Sequence, residues 1–95
     1  MDERLTRDSD GLEFGLDFVR KLKPCLYKYN APFDDGRLHA GFIAQEIADI
    51  VGAEKYGFVG IDTDGTYRIG YGDYIAPIVK AIQELTVRIE ALESK

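Results

Sequence analysis

Ile75, Ile78, Ile82, Leu85, Ile89 and Leu92 recur at spacings of 3, 4, 3, 4 and 3 along the last stretch of the chain. A strand cannot use that period, because its side chains change face at every residue. A helix that keeps it puts all six on one seam, with Ile75, Ile82 and Ile89 at a and Ile78, Leu85 and Leu92 at d of a heptad. Pro77 falls in the first turn, where a missing N–H costs nothing. Arg88 takes a g position and Glu93 the following e position, the arrangement of an interchain ion pair. The spacing predicts a long helix that meets copies of itself.

The rest of the chain is short for a stable monomer. Ninety-five residues make one domain. At this size only about 60–68% of the unfolded surface is buried, so self-association would help. The net charge of -5 argues against nucleic acid and against an anionic membrane surface. No apolar run approaches the roughly 20 residues of a membrane span. The opening MDERLTRDSDG is polar and charged, unlike a signal or transit peptide. Cys25 is the single cysteine, which leaves no internal disulfide and no zinc cluster and reads as a small core residue.

Ahead of the seam, two hairpins and two helices are expected. Phe14, Leu16, Phe18, Val19 and Leu22 fall near helical spacing, and Pro24 stops that helix. CLYKYN at 25–30 alternates like a strand, DDG at 34–36 marks a turn, and residues 38–43 read as the returning strand. Residues 45–51 have helical spacing, with Gly52 as the stop. Tyr56, Phe58 and Ile61 lead into DTDG at 62–65, and Tyr67 and Ile69 lead out. DTDG lacks the further ligands and the closing glutamate of a calcium loop, so it is read as a turn. No metal and no cofactor is expected. The fold class is α+β: helix, hairpin, helix, hairpin, then the long helix.

HAGFIAQEI, residues 39–47, holds the single histidine, a glycine, two bulky apolar residues and the start of a helix. Gly41 is expected to permit a close backbone approach or an unusual φ. Phe42 and Ile43 are expected in the core, and Glu46 suits the helix dipole in a first turn. Together with GLDFVRKLKPCLYKYN, YRIGYGDYIAPIVKAIQEL and a final RIEALE, the motif resembles the C-terminal intramolecular chaperone domains of phage tail spikes, tail fibres and neck appendages, of the endosialidase type. The resemblance runs over nearly the whole chain.

That resemblance implies a self-cleaving assembly factor at the end of a fibrous chain. Three copies meet through it, the upstream stalk folds, and the domain cuts itself off before a serine in a pattern like SDERLK. The serine is the nucleophile and the lysine five residues on is its base. A serine hydroxyl is weak until a base takes its proton, and a lysine is a base only when burial lowers its pKa. This chain begins MDERLT: Met1 stands at the serine position and Thr6 at the lysine position. A thioether is no acyl-transfer nucleophile, and a threonine hydroxyl is no base at neutral pH. A start methionine at the cut point of a released fragment accounts for Met1. His39 occupies the family's histidine position near the cleavage site, as an auxiliary to the serine or as a polar strand end.

The resulting expectations are specific. Residues 1–12 form the segment at the cleavage point, 13–72 the α+β body and 73–95 the trimerisation helix of one domain, 1–95. Ile78 at d, with the resemblance, favours a parallel homotrimer over a dimer. Stalk contacts are expected from two turn-centred loops, at Phe33 and Arg37 and at Tyr56, Phe58 and Thr66. The partners are two further copies and the precursor's own stalk, with neither nucleic acid nor membrane, in the host cytoplasm during phage assembly. Two rival readings differ in class. One is a plain trimerisation module with no proteolytic history. The other is an active protease using Thr6 or Ser9, for which no lysine precedes Lys21 as a base.

Overall fold

The computed structural model describes residues 4–7, 11–53 and 55–95. The order is α1 (Leu16–Lys21), β1 (Cys25–Tyr27), β2 (His39–Gly41), α2 (Ala44–Val51), β3 (Val59–Ile61), β4 (Tyr67–Ile69), a 3-10 turn (Tyr71–Tyr74) and α3 (Ile75–Glu93). This is the expected α+β sequence of elements. The strands are shorter than their alternation suggested.

Each hairpin is a separate antiparallel pair, with Leu26 opposite Ala40 in one and Gly60 opposite Arg68 in the other. Two-stranded pairs are marginal alone and need packing to persist. Their turns follow from side-chain chemistry. At the first, the N–H groups of Gly36 and Arg37 donate to Asp34 Oδ1 and Asp35 Oδ1, and Gly36 takes φ +75°. At the second, Thr66 N–H donates to Asp64 Oδ1 and Gly65 takes φ +86°. That bond holds Asp64 below the usual carboxylate value. DTDG is thus a turn.

α1 is stopped at its C-terminal end. Leu22 is already extended, and Lys23 precedes Pro24, which disfavours helical backbone there. α2 stops at Gly52, whose φ is +79° and whose N–H donates to the Ala48 carbonyl.

The core lies where α1, α2, hairpin β3–β4 and the start of α3 converge. Phe18, Ala44, Ile47, Phe58, Val59 and Tyr74 are buried there, with Phe14, Phe42 and Tyr56 packed around them. Phe18 stacks on Phe58 at 4.9 Å, and Phe14 meets both rings edge-on at 5.1 Å. Ile47, 1% exposed, contributes about 1.5–3 kcal/mol by its burial. Phe42 and Ile43, expected in the core, are only half-buried, Phe42 packing against its edge, and Cys25 in β1 is half-buried too. Tyr74 O–H donates to the Phe58 carbonyl at 3.1 Å and satisfies the one polar group that ring carries inward.

α1 packs on α3, burying Leu16 on one side and Pro77 and Ala81 on the other. Beyond that contact α3 runs on alone. Nineteen residues make a rod about 28 Å long. The molecule is correspondingly elongated, 56 × 35 × 25 Å, with a radius of gyration of 16.7 Å where a compact chain of this length has about 12 Å.

Candidate functional site

Three features carry the chemistry and recognition that the sequence suggested: the seam of α3, the segment ahead of α1, and the first hairpin with its loop.

The six seam residues line one face of α3, and each is between 41% and 65% exposed. They border the face that packs on α1 but do not share in its burial. Val79, at the e position, is also exposed and widens the apolar stripe at its N-terminal end. Arg88 and Glu93 lie exposed on the last turns. The total accessible surface is 7804 Å², whereas a monomeric protein of 10.7 kDa exposes about 5,500 Å². The surplus of about 2,300 Å² exceeds the ~800 Å² per partner of a standard interface. No helix among the described residues is long and apolar enough to cross a membrane.

Of the residues expected at the cleavage point, Met1 lies outside the described residues. Thr6 is exposed and outside regular structure. At Leu12 the chain meets α3, where Lys80 Nζ donates to the Leu12 carbonyl. Lys80 and Glu84 also crowd Gly15, so that a Cβ there would run into the Glu84 carboxylate. The fold therefore brings a lysine 68 residues away in sequence onto the N-terminal segment. Nothing local in the sequence pointed to it. Lys80 serves there as a donor that anchors backbone.

His39 sits at the loop end of the first hairpin, half-buried between two tyrosines. Its ring stacks on Tyr27 at 5.6 Å and meets Tyr29 edge-on at 5.2 Å. Its Nε2–H donates to Asp35 Oδ2 at 2.9 Å. Asp35 is held below the usual carboxylate value, first by the Arg37 N–H it accepts and then by His39. Tyr27 is pushed up to about 12, first by its hydrogen bond with Tyr29 and then by desolvation. These partners of His39 all belong to its own hairpin and loop. The arrangement fixes the loop. Asp35, four residues before His39, is the partner the sequence reading passed over.

Gly41 follows, and its role is steric. Its φ is not positive. A Cβ there would overlap the Tyr71 hydroxyl and lie 3.3 Å from Tyr27 Cε1. Tyr71 uses that gap to accept the Phe42 N–H at 3.3 Å. Of the two reasons the sequence offered for a glycine at 41, close approach is the operative one.

The loop residues divide. Phe33, 76% exposed, projects from the first loop, and Arg37 and Thr66 are exposed. Tyr56 is half-buried, with its O–H donating to Glu13 Oε1 at 2.7 Å. Phe58, expected as a contact on a protruding loop, is 4% exposed at the centre of the core. That expectation is corrected: the residues before β3 turn inward because Phe18, Phe14 and Tyr74 supply a ring cluster for Phe58 to join.

A comparison with protein families agrees with the motifs. Residues 2–57 match the model of the peptidase S74 family, described as the chaperone of endosialidase. Comparison with curated proteins and with solved structures gives no significant match. The matched stretch runs from the DERL motif through α1, the first hairpin and α2, and ends just before Phe58; α3 and its seam lie beyond it. It covers more than half of the chain, and the protein belongs to the endosialidase chaperone family.

Proposed function

We propose that this chain is the intramolecular chaperone of a phage tail spike, tail fibre or neck appendage. Three copies associate in parallel through residues 73–95, and body residues 13–72 hold the ends of three upstream stalk chains in register. The site of release is immediately before residue 1. With Met1 and Thr6 in place of the family's serine and lysine, this chain does not make that cut. It works in the host cytoplasm, during virion assembly.

The observation that carries the reading is the seam: six apolar side chains in heptad register, exposed on a helix that extends beyond its own body. Last turns without neighbours fray in water, so such a seam implies partners. Val79 at e broadens the stripe beyond the narrow a/d line of two-stranded coils, and together with Ile78 at d this supports three strands. A trimeric β-stalk depends on non-local pairing, which is slow and aggregation-prone while its edges are open. A clamp that raises the effective concentration of three chain ends shortens that exposure.

The test is expression of the stalk fused to this domain, to its Ile82→Asp variant, or to nothing. Soluble trimeric stalk is expected from the first alone. A stalk that folds equally well without the domain removes the chaperone reading. Thr6, which supplies no base, favours the second reading in that event: a trimerisation module with no proteolytic history.

A further inference from the structure

The two flanks of the α3 seam are unlike. On the c and g side, Pro77 and Ala81 are buried under α1, and Glu84 closes over Gly15. On the e and b side lies an open groove of about 790 Å³, lined by Leu12, Gly72, Ile75, Ala76, Val79 and Gln83. The groove is continuous with the seam, because Ile75 is itself an a residue and Val79, four residues on, lies beside it on the helix.

In a parallel coiled coil the e flank of each helix faces the g flank of the next. The g flank of every copy carries α1 and the body behind it. The same register that joins the seams therefore brings the body of one copy against the groove of its neighbour. We propose that this groove is a docking surface for the body of a second copy of this chain, so that the N-terminal segment at Gly11 and Leu12 is enclosed between two protomers. The inference rests on the parallel association proposed above. Contacts of this kind join unlike surfaces and are satisfied in every copy only when the ring closes. The surplus surface of about 2,300 Å² is more than one standard interface needs and leaves area for this second contact. The consequence is that assembly encloses the stretch leading to the stalk, including the Lys80–Leu12 anchor.

The b positions separate this proposal from a bare coiled coil, which leaves them in solvent. Gln83 is a b residue in the groove, and Glu90 is a b residue about 10 Å further along the same helix, beyond the body. In a Cys25→Ser background, Gln83→Cys and Glu90→Cys are treated with a thiol reagent after each variant's mass has been measured by light scattering. The expected result is trimeric mass for both, with Gln83→Cys reacting at least about 10-fold more slowly than Glu90→Cys. Adding Ile82→Asp should abolish the difference. Ala76→Cys repeats the measurement nearer the start of the groove. Trimeric mass with equal reactivity at positions 76, 83 and 90 overturns the docking and leaves the trimer standing. Monomeric mass for the unaltered protein overturns both.

Discussion

The Nε2–H of His39 donates to Asp35 Oδ2 across 2.9 Å, and the same carboxylate accepts the Arg37 N–H through its other oxygen. One side chain thus ties both the strand end and the turn backbone, and the loop that projects Phe33 hangs from it. Asp35→Ala removes both bonds. Amides at 33–38 should then exchange several-fold faster, while those of α2 stay unchanged. His39→Ala should loosen the same stretch to a lesser degree, because the Arg37 bond survives. The pH dependence has a definite sign. The carboxyl of Asp35 is lowered from 3.8, so its contribution is complete above that value and is lost as pH falls through the lowered one. Loop protection that is equal at pH 6 and pH 3 would count against this clamp.

Gly41 and Gly70 differ in what blocks a side chain. At 41 the obstacle is the Tyr71 phenol, and at 70 it is the backbone carbonyl of Gly57. Gly41→Ala should cost about 1–3 kcal/mol, the usual range for overpacking. At this chain length that lowers the melting temperature by about 4–8 °C per kcal/mol. Combining it with Tyr71→Phe should cost less than the sum of the two single changes, since the hydroxyl is the nearest obstacle. Gly70→Ala should cost more than Gly41→Ala and find no such rescue, because backbone cannot be trimmed. All melts are compared at one protein concentration, as an associating protein requires.

The seam and the turns were legible because their signals are local. A period of 3 and 4 needs no knowledge of the rest of the fold, and DDG and DTDG make their turns with their own carboxylates. Phe58 was misplaced because its burial depends on Phe18, Tyr74 and Phe14, residues far from it in sequence. The strands were overestimated for a related reason. Each has a single partner, so pairing ends where that partner turns away. Lys80 and Leu12 show the limit most clearly. No spacing rule links residues 68 apart, and only the packing of α1 on α3 brings them together.

The buried phenol of Tyr74 makes the fold sensitive to alkali. Burial, with lesser contributions from Tyr71 and Asp73, pushes Tyr74 up to about 12 from 10.0. Between those values the unfolded chain has lost the proton and the folded one retains it. Stability therefore falls as pH rises from 10 towards 12. Tyr74→Phe should flatten that decline while costing about 0.5–1.5 kcal/mol at neutral pH for the lost bond to the Phe58 carbonyl. An equally steep loss in Tyr74→Phe would place the sensitivity elsewhere, with Tyr27 the next phenol to examine.

Ile82 lies at the centre of the exposed seam, away from the buried ring cluster. Ile82→Asp would gather like charges around one axis, and assembly should fail. Light scattering at micromolar concentration should give three chains for the unaltered protein and one for the variant. Because Phe18, Phe58 and Tyr74 are packed within one chain, the variant should keep its near-ultraviolet dichroism. It should lose helical signal from the last turns of α3, which have nothing else to pack on. Loss of both signals together would mean that the body cannot stand without the seam.

Cleavage tests the relation between this chain and its family. Fused behind a native stalk, the sequence with Met1 and Thr6 should remain uncut. Met1→Ser alone should give little product, since an isolated hydroxyl is a weak nucleophile. Met1→Ser with Thr6→Lys should cut just before residue 1. Thr6 is exposed in the single chain, so a lysine there would keep a pKa near 10.4 and stay protonated until assembly encloses it. The double variant should therefore cut only when it associates, and adding Ile82→Asp should abolish cutting along with the trimer. Efficient cutting by the serine variant alone on a denaturing gel would give the base role to another group. His39 would be examined first through Asp35→Ala, which strips its carboxylate partner, and Lys80 second through Lys80→Met, which removes a lysine that donates to the segment ahead of α1.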